Sequence, residues 1–201
     1  MVAAVSGGTT AYAVLVFAVA AARLVELTVA RRHLAWARIH DGIEYGAGHY
    51  PAMVALHAGL LAGCLVEVIA GGRPFLPWLG WPMLVLLAAA HGLRWWCIAT
   101  LGPQWNTRVV VIPGLALVTR GPYRWLAHPN YLAVVIEGVA LPLVYSAWLT
   151  ALVFTVANLA LLRVRVRVEQ AALTTAPHEP PREPPRQPPA ARERSDHRGG
   201  G

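Results

Sequence analysis

Charged side chains are scarce in this chain of 201 residues, where Asp, Glu, Lys and Arg together make up 13%. A soluble domain has about a quarter of its residues charged. Apolar residues account for 56% of the chain, and the mean hydropathy is positive. The composition therefore excludes an ordinary soluble protein and predicts one polytopic membrane domain, with room for a tail.

Cysteine is also scarce, since only Cys64 and Cys97 are present, in separate apolar runs. They form no CxxC pair and no Cys/His ligand spacing, so neither a metal site nor a disulfide framework is indicated, and both are expected in the core. No G-x-G-x-x-G motif follows a strand, which leaves a Rossmann-type fold unsupported. The net charge of the chain is +7. Its arginines are not interleaved with stacking aromatic residues, which argues against nucleic-acid binding.

Long apolar runs predict an all-α integral membrane fold with about five transmembrane helices. No Lys or Arg precedes the first run and no cleavage site is obvious, so we expect a retained span and no signal peptide. The last run is too long for one span and is broken near Pro142 and Tyr145-Ser146, which predicts a helical hairpin with arms of about 22 Å. The predicted segments are 11–30, 52–70, 82–101 and the hairpin 131–162.

Several ionisable residues fall inside these spans. Arg23 and Glu26 share a helix face, so we expect them to pair away from lipid, either near the membrane edge or in a functional role. Arg94 cannot face lipid cheaply. Glu137 is predicted either to be a buried partner of Arg94 or His91 or to line a substrate path. His57 and Glu67 are predicted either to be core groups with satisfied hydrogen bonds or to line a polar path.

Basic segments predict the orientation. We expect Arg31 to Arg38 to lie in a basic loop. With five spans, this loop, the segment Arg108 to Arg124 and the chain after Arg163 lie on one side, which the positive-inside rule places in the cytoplasm, with the amino terminus outside. The alternating run 163–168 suits a strand, but continuity with the hairpin favours a cytosolic helix. We predict a membrane domain over 1–175 and a Pro/Arg-rich, disordered tail over 176–201.

Two X-Pro turns precede the hairpin, Gly121-Pro122-Tyr123-Arg124 and His128-Pro129-Asn130-Tyr131. Because proline fixes φ and keeps the preceding residue extended, we expect these turns to display their polar groups. A purely structural interpretation is a helix start at the membrane interface, with Asn130 capping the helix and Tyr131 anchoring it. The connector 104–114 suits a short strand, a hairpin arm or an interfacial segment.

These turns, the hairpin and the later Arg165-x-x-x-Glu169-Gln170-x-x-Leu173 together resemble the isoprenylcysteine carboxyl methyltransferase family, in its bacterial integral membrane branch. The family pattern is roughly G-P-Y-x-x-x-R-H-P-x-Y-x-G, a hydrophobic hairpin, and R-x-x-x-E-E-x-x-L. The resemblance covers about residues 105–173. The chain departs from the pattern at Ala127, Ala133 and Gln170 and lacks the family's tyrosine-bearing carboxy-terminal segment.

The resemblance implies S-adenosylmethionine (SAM) as cofactor, bound in a cytosol-facing pocket between the connector and the helix after the hairpin. Aromatic rings suit a sulfonium or an adenine, an arginine suits a carboxylate, and a glutamate accepts from an amino or ribose group. The expected cofactor-binding residues are Tyr123, His128, Pro129, Tyr131, Arg165 and Glu169. His128 and Glu169 are the catalytic candidates, because a phenolic acceptor needs a base whereas a carboxylate acceptor does not. Arg94, Trp125 and Glu137 are expected to contact substrate.

A lipophilic acceptor would enter from the bilayer, either of isoprenylcysteine type or an alkylresorcinol, quinone or polyketide lipid. Arginine, alanine and proline dominate the polar regions, which is typical of a bacterium with a GC-rich genome and favours the second class and the bacterial inner membrane. An NADPH-dependent reductase of steroid-reductase type shares the His-Pro-Asn-Tyr motif, but its usual carboxy-terminal motifs are absent. A non-catalytic membrane scaffold with a partner-recruiting tail is the third hypothesis.

Overall fold

The computed structural model describes residues 2–175 of the chain, and the predicted tail lies outside this part. Four of its helices are long and apolar enough to cross a membrane, whereas an apolar helix of 15 residues, 129–143, is shorter. The helices are α1 (Val2–Ile39), α2 (Tyr50–Ile69), α3 (Pro77–Leu101), α4 (Pro129–Leu143) and α5 (Trp148–Thr175). Since α4 reaches about 22 Å, the predicted count of five spans stays a prediction.

Helix α1 is longer than predicted, because the basic segment Arg31 to Arg38, expected in a loop, continues the helix to Ile39. No Gly or Pro lies between Thr9 and Asp41 to interrupt the helix. The helix ends where Asp41 takes a left-handed φ of 58° and the N–H of Gly42 donates to the carbonyl of Ala37 at 2.8 Å. The predicted loop was therefore too long at its amino-terminal end.

Proline stands in the first turn of three helices, where the missing N–H would have no partner within the helix. Pro51, Pro77 and Pro129 take this place in α2, α3 and α4. The predicted start of the third span at Pro82 was wrong, because α3 begins five residues earlier and contains Pro82 in its second turn. Proline is tolerated there because it costs one hydrogen bond near the helix start.

The predicted helical hairpin is confirmed. Helix α4 ends at Leu143 and α5 begins at Trp148, and the turn between them includes Ser146 with a positive φ of 53°. The helices approach closely, since a Cβ on Gly138 would collide with the ring of Phe154. Helix α5 continues through the alternating arginines, so the helical interpretation of that run is confirmed as well.

The all-α prediction misses a small sheet. Strand β1 (Ile43–Tyr45) pairs antiparallel with β2 (Val109–Val111), with Ile43 opposite Val111 and Tyr45 opposite Val109. Three consecutive valines favour the extended conformation of β2, which confirms the strand among the alternatives predicted for the connector. Because the partner strand comes from the α1–α2 loop, distant in sequence, the spacing of the motifs did not reveal it.

The core lies between all five helices. Its main cluster includes the fully buried Tyr12, Cys64 and Leu141, and the hydroxyl of Tyr12 donates to the carbonyl of Leu141 at 3.0 Å. Cys64 and Cys97 are both free and buried, which confirms the prediction that they are core residues.

Glu67 links two of the spans. Its carboxylate accepts hydrogen bonds from the backbone N–H of Leu149 at 3.2 Å, from that of Thr150 at 2.7 Å and from the Thr150 hydroxyl at 2.8 Å. Arg73 lies 2.9 Å from the same carboxylate. Glu67 thus caps the amino terminus of α5 from another helix, where a negative charge is favourable. This supports the prediction that Glu67 is a core group with satisfied hydrogen bonds.

We expect Glu67→Ala to destabilise the protein by about 1–2 kcal/mol, because the first turn of α5 loses its acceptors. Thermal unfolding in detergent measures this. Thr150→Val is the matched control, since it removes one hydroxyl donor and leaves both backbone bonds, and its loss should be smaller. Equal losses for the two variants would contradict the capping role.

Candidate functional site

The first X-Pro turn packs against the end of α3. Gly121 begins a 3₁₀ turn over residues 121–124 with φ of 59°, and a Cβ there would lie 2.6 Å from the hydroxyl of Thr100. Pro122 is fully buried, whereas Arg124 and Trp125 are exposed. The expectation that the turn displays its polar groups therefore holds for its second half, while the proline itself is packed.

The second X-Pro turn starts α4. Pro129 is fully buried at the first helical position, and the N-cap residue His128 makes no capping side-chain bond. Asn130 was considered as the cap, but its Oδ1 is buried without a hydrogen-bond partner in the part of the chain that the structure describes. The capping interpretation of Asn130 was wrong, and an unpaired acceptor lies at the start of α4.

Residues of the two predicted motifs meet between α4 and α5. The hydroxyl of Tyr131 donates to Oε2 of Glu169 and accepts from Nε of Arg165 at 2.9 Å. Arg165 and Glu169 are four residues apart on α5 and therefore lie on one helix face. The three groups form a directed chain of hydrogen bonds from guanidinium to phenol to carboxylate, in which the charged ends strengthen both bonds.

His128 extends this group on its accessible side. Its Nδ1 lies 3.9 Å from Oε1 of Glu169, and its ring stacks on that of Tyr131 with centroids 5.1 Å apart and an interplanar angle of 12°. The side chains of His128 and Glu169 are 31% and 30% exposed. A small molecule can therefore reach the imidazole and the carboxylate without opening the bundle.

Arg165 is held from two directions. Its guanidinium carbon lies 5.1 Å from the ring centroid of Tyr131, and its Nη1 donates to Sδ of Met53 at 2.9 Å. The residue is only 7% exposed. A buried guanidinium with a weak sulfur acceptor as one partner retains capacity to pair with an anion.

Tyr123 forms the edge of the group next to α3. Its hydroxyl lies beside Cys97, and Glu169 is close enough for its negative charge to act on the phenol. Burial, followed by the proximity of Cys97, raises the pKa of Tyr123 well above its usual range. The phenol therefore stays protonated at neutral pH and is available as a hydrogen-bond donor.

Four of the six predicted cofactor residues are thus joined by contacts among side chains: His128, Tyr131, Arg165 and Glu169. Tyr123 lies near them and is hydrogen-bonded to Cys97. The sixth, Pro129, supplies the rigid first helical position between His128 and Tyr131. Aromatic rings, a guanidinium and a carboxylate match the sulfonium, carboxylate, amino group and adenine of SAM in chemistry. The residues present fit that cofactor.

Two of the predicted substrate residues lie elsewhere, in a second polar cluster that we call the buried ion cluster: Arg23, Glu26, Arg94 and Glu137. Arg94 Nη2 lies 3.0 Å from Oε2 of Glu137, and Arg23 pairs with both glutamates. Arg94 Nε lies 3.7 Å from Oε1 of Glu26. Two positive and two negative charges from α1, α3 and α4 therefore balance in the bundle.

The prediction that Glu137 is a buried partner of Arg94 is confirmed, and Arg23 and Glu26 do pair. That both pairs belong to one cluster was not predicted. The equal number of positive and negative charges within the apolar runs was the sequence feature that could have indicated it. Met53 was missed as well, because a methionine in an apolar run carries no signal of its own.

Trp125, the third predicted substrate residue, is 67% exposed. Its ring meets that of Trp96 edge-to-face at 6.0 Å, and the Arg124 guanidinium lies 5.8 Å from its centroid. The tryptophan is therefore an accessible apolar surface on the connector, in line with the preference of this residue for membrane interfaces.

We expect Glu137→Gln to destabilise the protein by about 3 kcal/mol, because it leaves two arginines of the buried ion cluster with one carboxylate. Glu169→Gln, at a partly exposed carboxylate, should cost less than about 1 kcal/mol. Thermal unfolding of both variants in one detergent makes the comparison. A Glu137→Gln protein as stable as the wild type would show that the cluster does not hold the helices together.

Comparison with known proteins shows which family the chain belongs to. A family model, the isoprenylcysteine carboxyl methyltransferase (ICMT) family, matches residues 83–175. The uncharacterized protein YpbQ of Bacillus subtilis (strain 168) is 37% identical over 152 residues, which cover 75% of this chain and 89% of YpbQ. No solved structure matches the chain. Together with the membrane-length helices, these similarities show that the chain is an integral membrane protein and belongs to the isoprenylcysteine carboxyl methyltransferase family.

Proposed function

We propose that this protein transfers a methyl group from SAM to an oxygen of a lipophilic acceptor in the membrane. The observation that carries the proposal is the meeting of Tyr131 with Arg165 and Glu169, which lie 34 and 38 residues away in sequence, across the hairpin. The methyltransferase family to which the chain belongs supports the reaction class. The two alternatives, a reductase and a scaffold, have no comparable observation in their favour.

For the cofactor, Arg165 is the partner of the carboxylate, since it is buried and its sulfur contact is weak. Glu169 accepts from the amino group or the ribose. Tyr123 and Tyr131 supply aromatic faces, and Pro129 fixes the backbone between His128 and Tyr131. The Arg165–Tyr131–Glu169 chain of hydrogen bonds holds these side chains in place, which lowers the cost of ordering them on binding.

SAM, when bound, supplies an activated methyl group on a sulfonium. Methyl transfer of this kind is an in-line displacement, so the protein contributes mainly by aligning the acceptor and excluding water. His128 is the proposed general base. Since its Nδ1 faces Glu169, Nε2 is the nitrogen left to take a proton, and the carboxylate stabilises the imidazolium that results.

The presence of this imidazole–carboxylate pair favours an acceptor with a proton to lose. A phenolic or enolic lipid, such as an alkylresorcinol, a hydroquinone or a polyketide, has one, whereas the carboxylate of an isoprenylcysteine does not need a base. Trp125 is the proposed contact for the apolar part of the acceptor, because it is accessible. For Arg94 and Glu137 we propose an indirect part, to hold α4 against α1 and α3.

We further propose that the site faces the cytoplasm of a bacterium, across its inner membrane. The support is the clustering of basic segments at one end of the helices and the similarity to a Bacillus protein. Cytosolic SAM would then reach His128 and Glu169 from the aqueous side, while the acceptor arrives through the lipid.

The first test follows the methyl group. Membranes containing the protein are incubated with methyl-labelled SAM, and organic extraction separates lipid from protein. We expect label in the lipid extract, and a reduction of about 100-fold or more in His128→Ala, because general-base catalysis contributes on that order. Mass spectrometry of the labelled lipid then identifies the acceptor.

Label in neither fraction, together with no SAM binding, would favour the reductase or the scaffold. Removal of residues 174–201 separates these two, since an enzyme should keep its activity without the tail and a scaffold should lose its function. Label in lipid that persists in His128→Ala would retain the methyltransferase and remove His128 as the base.

A second test concerns Glu169. We expect Glu169→Gln to abolish measurable SAM binding in detergent, because the neutral amide no longer attracts the cofactor's cationic groups and no longer anchors Tyr131 as a carboxylate does. Isothermal titration measures the dissociation constant. Gln170→Glu, which restores the second family glutamate on an exposed neighbour, is the control and should bind normally. Unchanged affinity in Glu169→Gln would place Glu169 outside the site.

A further inference from the structure

The amino-terminal part of the chain, outside the family-matched segment 83–175, reaches the candidate site through α2. Met53, in the first turn of α2, accepts from Arg165 Nη1 at 2.9 Å. His49, just before α2, lies close enough to Arg165 to feel its charge. The start of α2 therefore contributes directly to the surroundings of Arg165.

The position of this helix start is fixed by Arg108 of the connector. Arg108 Nη1 donates to Oε1 of Glu44 at 2.6 Å, and its guanidinium carbon lies 4.3 Å from the ring centroid of Tyr50, the first residue of α2. The hydrogen bond to Glu44 raises the pKa of Arg108 further above its usual range. The guanidinium of Arg108 thus links strand β1 and the first residue of α2 to the connector. We call Arg108, Glu44 and Tyr50 the Arg108 clamp.

The strands next to the clamp residues also pack on α5. Both strands contact α5, and a Cβ on Gly46, which has φ of 64°, would lie 2.7 Å from Cγ1 of Val168. Val168 directly precedes Glu169 on that helix. The loop between β1 and α2 is therefore packed on the same turns of α5 that carry Arg165 and Glu169.

We propose that the Arg108 clamp positions Arg165 for its anionic ligand. Tyr50 and Met53 are three residues apart and share a face of α2, so the ring held by Arg108 sets the place of the sulfur that holds Arg165. Arginine loses considerable side-chain entropy when ordered, and a preformed contact lowers that cost at the moment of binding. This inference rests on the proposed function, in which the ligand is the SAM carboxylate.

The test compares two substitutions of one residue. Tyr50→Leu removes the ring under Arg108, and we expect the dissociation constant for SAM to rise about 5- to 10-fold, the range of one partly buried cation–π contact. Tyr50→Phe keeps the ring and should change it less than about 2-fold. Glu44→Gln weakens the other arm of the clamp and replaces Tyr50→Leu if that variant does not fold.

A double-mutant cycle separates positioning from general destabilisation. Met53→Leu alone should weaken SAM binding, and Tyr50→Leu added to it should produce no further loss, because both act through the same contact to Arg165. Losses that add would show that Tyr50 acts by another route and would overturn the proposal, as would normal SAM binding in Tyr50→Leu.

A readout without cofactor keeps the two proposals apart. With ¹³C-methyl methionine, the ε-methyl resonance of Met53 should shift in Tyr50→Leu and in Arg165→Ala, while that of Met83 on α3 should stay in place. If wild-type protein binds no SAM but the Met53 signal shifts, the proposed cofactor fails and the clamp stands. If the Met53 signal does not shift in Tyr50→Leu, the clamp fails whatever the affinity for SAM.

Discussion

The need to pair charges inside an apolar bundle determines how these helices pack. Four charged residues are buried in the described part of the chain, Glu26, Arg94, Glu137 and Arg165. Each meets a polar group from another helix. Because an unpaired charge in such surroundings costs several kcal/mol, an arrangement of α1, α3, α4 and α5 that separated these partners would be strongly disfavoured.

The two polar centres differ in charge balance and in exposure to solvent. In the buried ion cluster two arginines face two glutamates, and the charges cancel within the protein. At the other centre Arg165 has a phenol and a sulfur as partners, and His128 and Glu169 are partly exposed. A charge-balanced cluster holds helices together, even though Oε1 of Glu26 and Nε of Arg94 have no hydrogen-bond partner in the described residues, whereas an accessible centre is suited to a ligand.

Local patterns predicted what depends on local physics. Apolar runs gave the spans and the hairpin, and the spacing of Arg165 and Glu169 put both on one face. The sheet and the link from Arg23 to Glu137 were not predicted, because each depends on which distant segments meet. The full length of α1 was missed although its signal is local, since no Gly or Pro interrupts the segment after Thr9. The family resemblance indicated that Tyr131 belongs with Glu169, but only the packing of α4 on α5 shows the hydroxyl between Arg165 and the carboxylate.

Segment 83–175 carries the family motifs, yet it does not contain all the partners that its charges require. Within it Arg94 has Glu137, but Arg23 and Glu26 come from α1, and the Met53 contact to Arg165 comes from α2. The segment on its own would leave buried groups without acceptors, which is costly in a low-dielectric interior. The 152 residues aligned with YpbQ exceed this segment, as expected if the amino-terminal helices are needed to complete both polar centres.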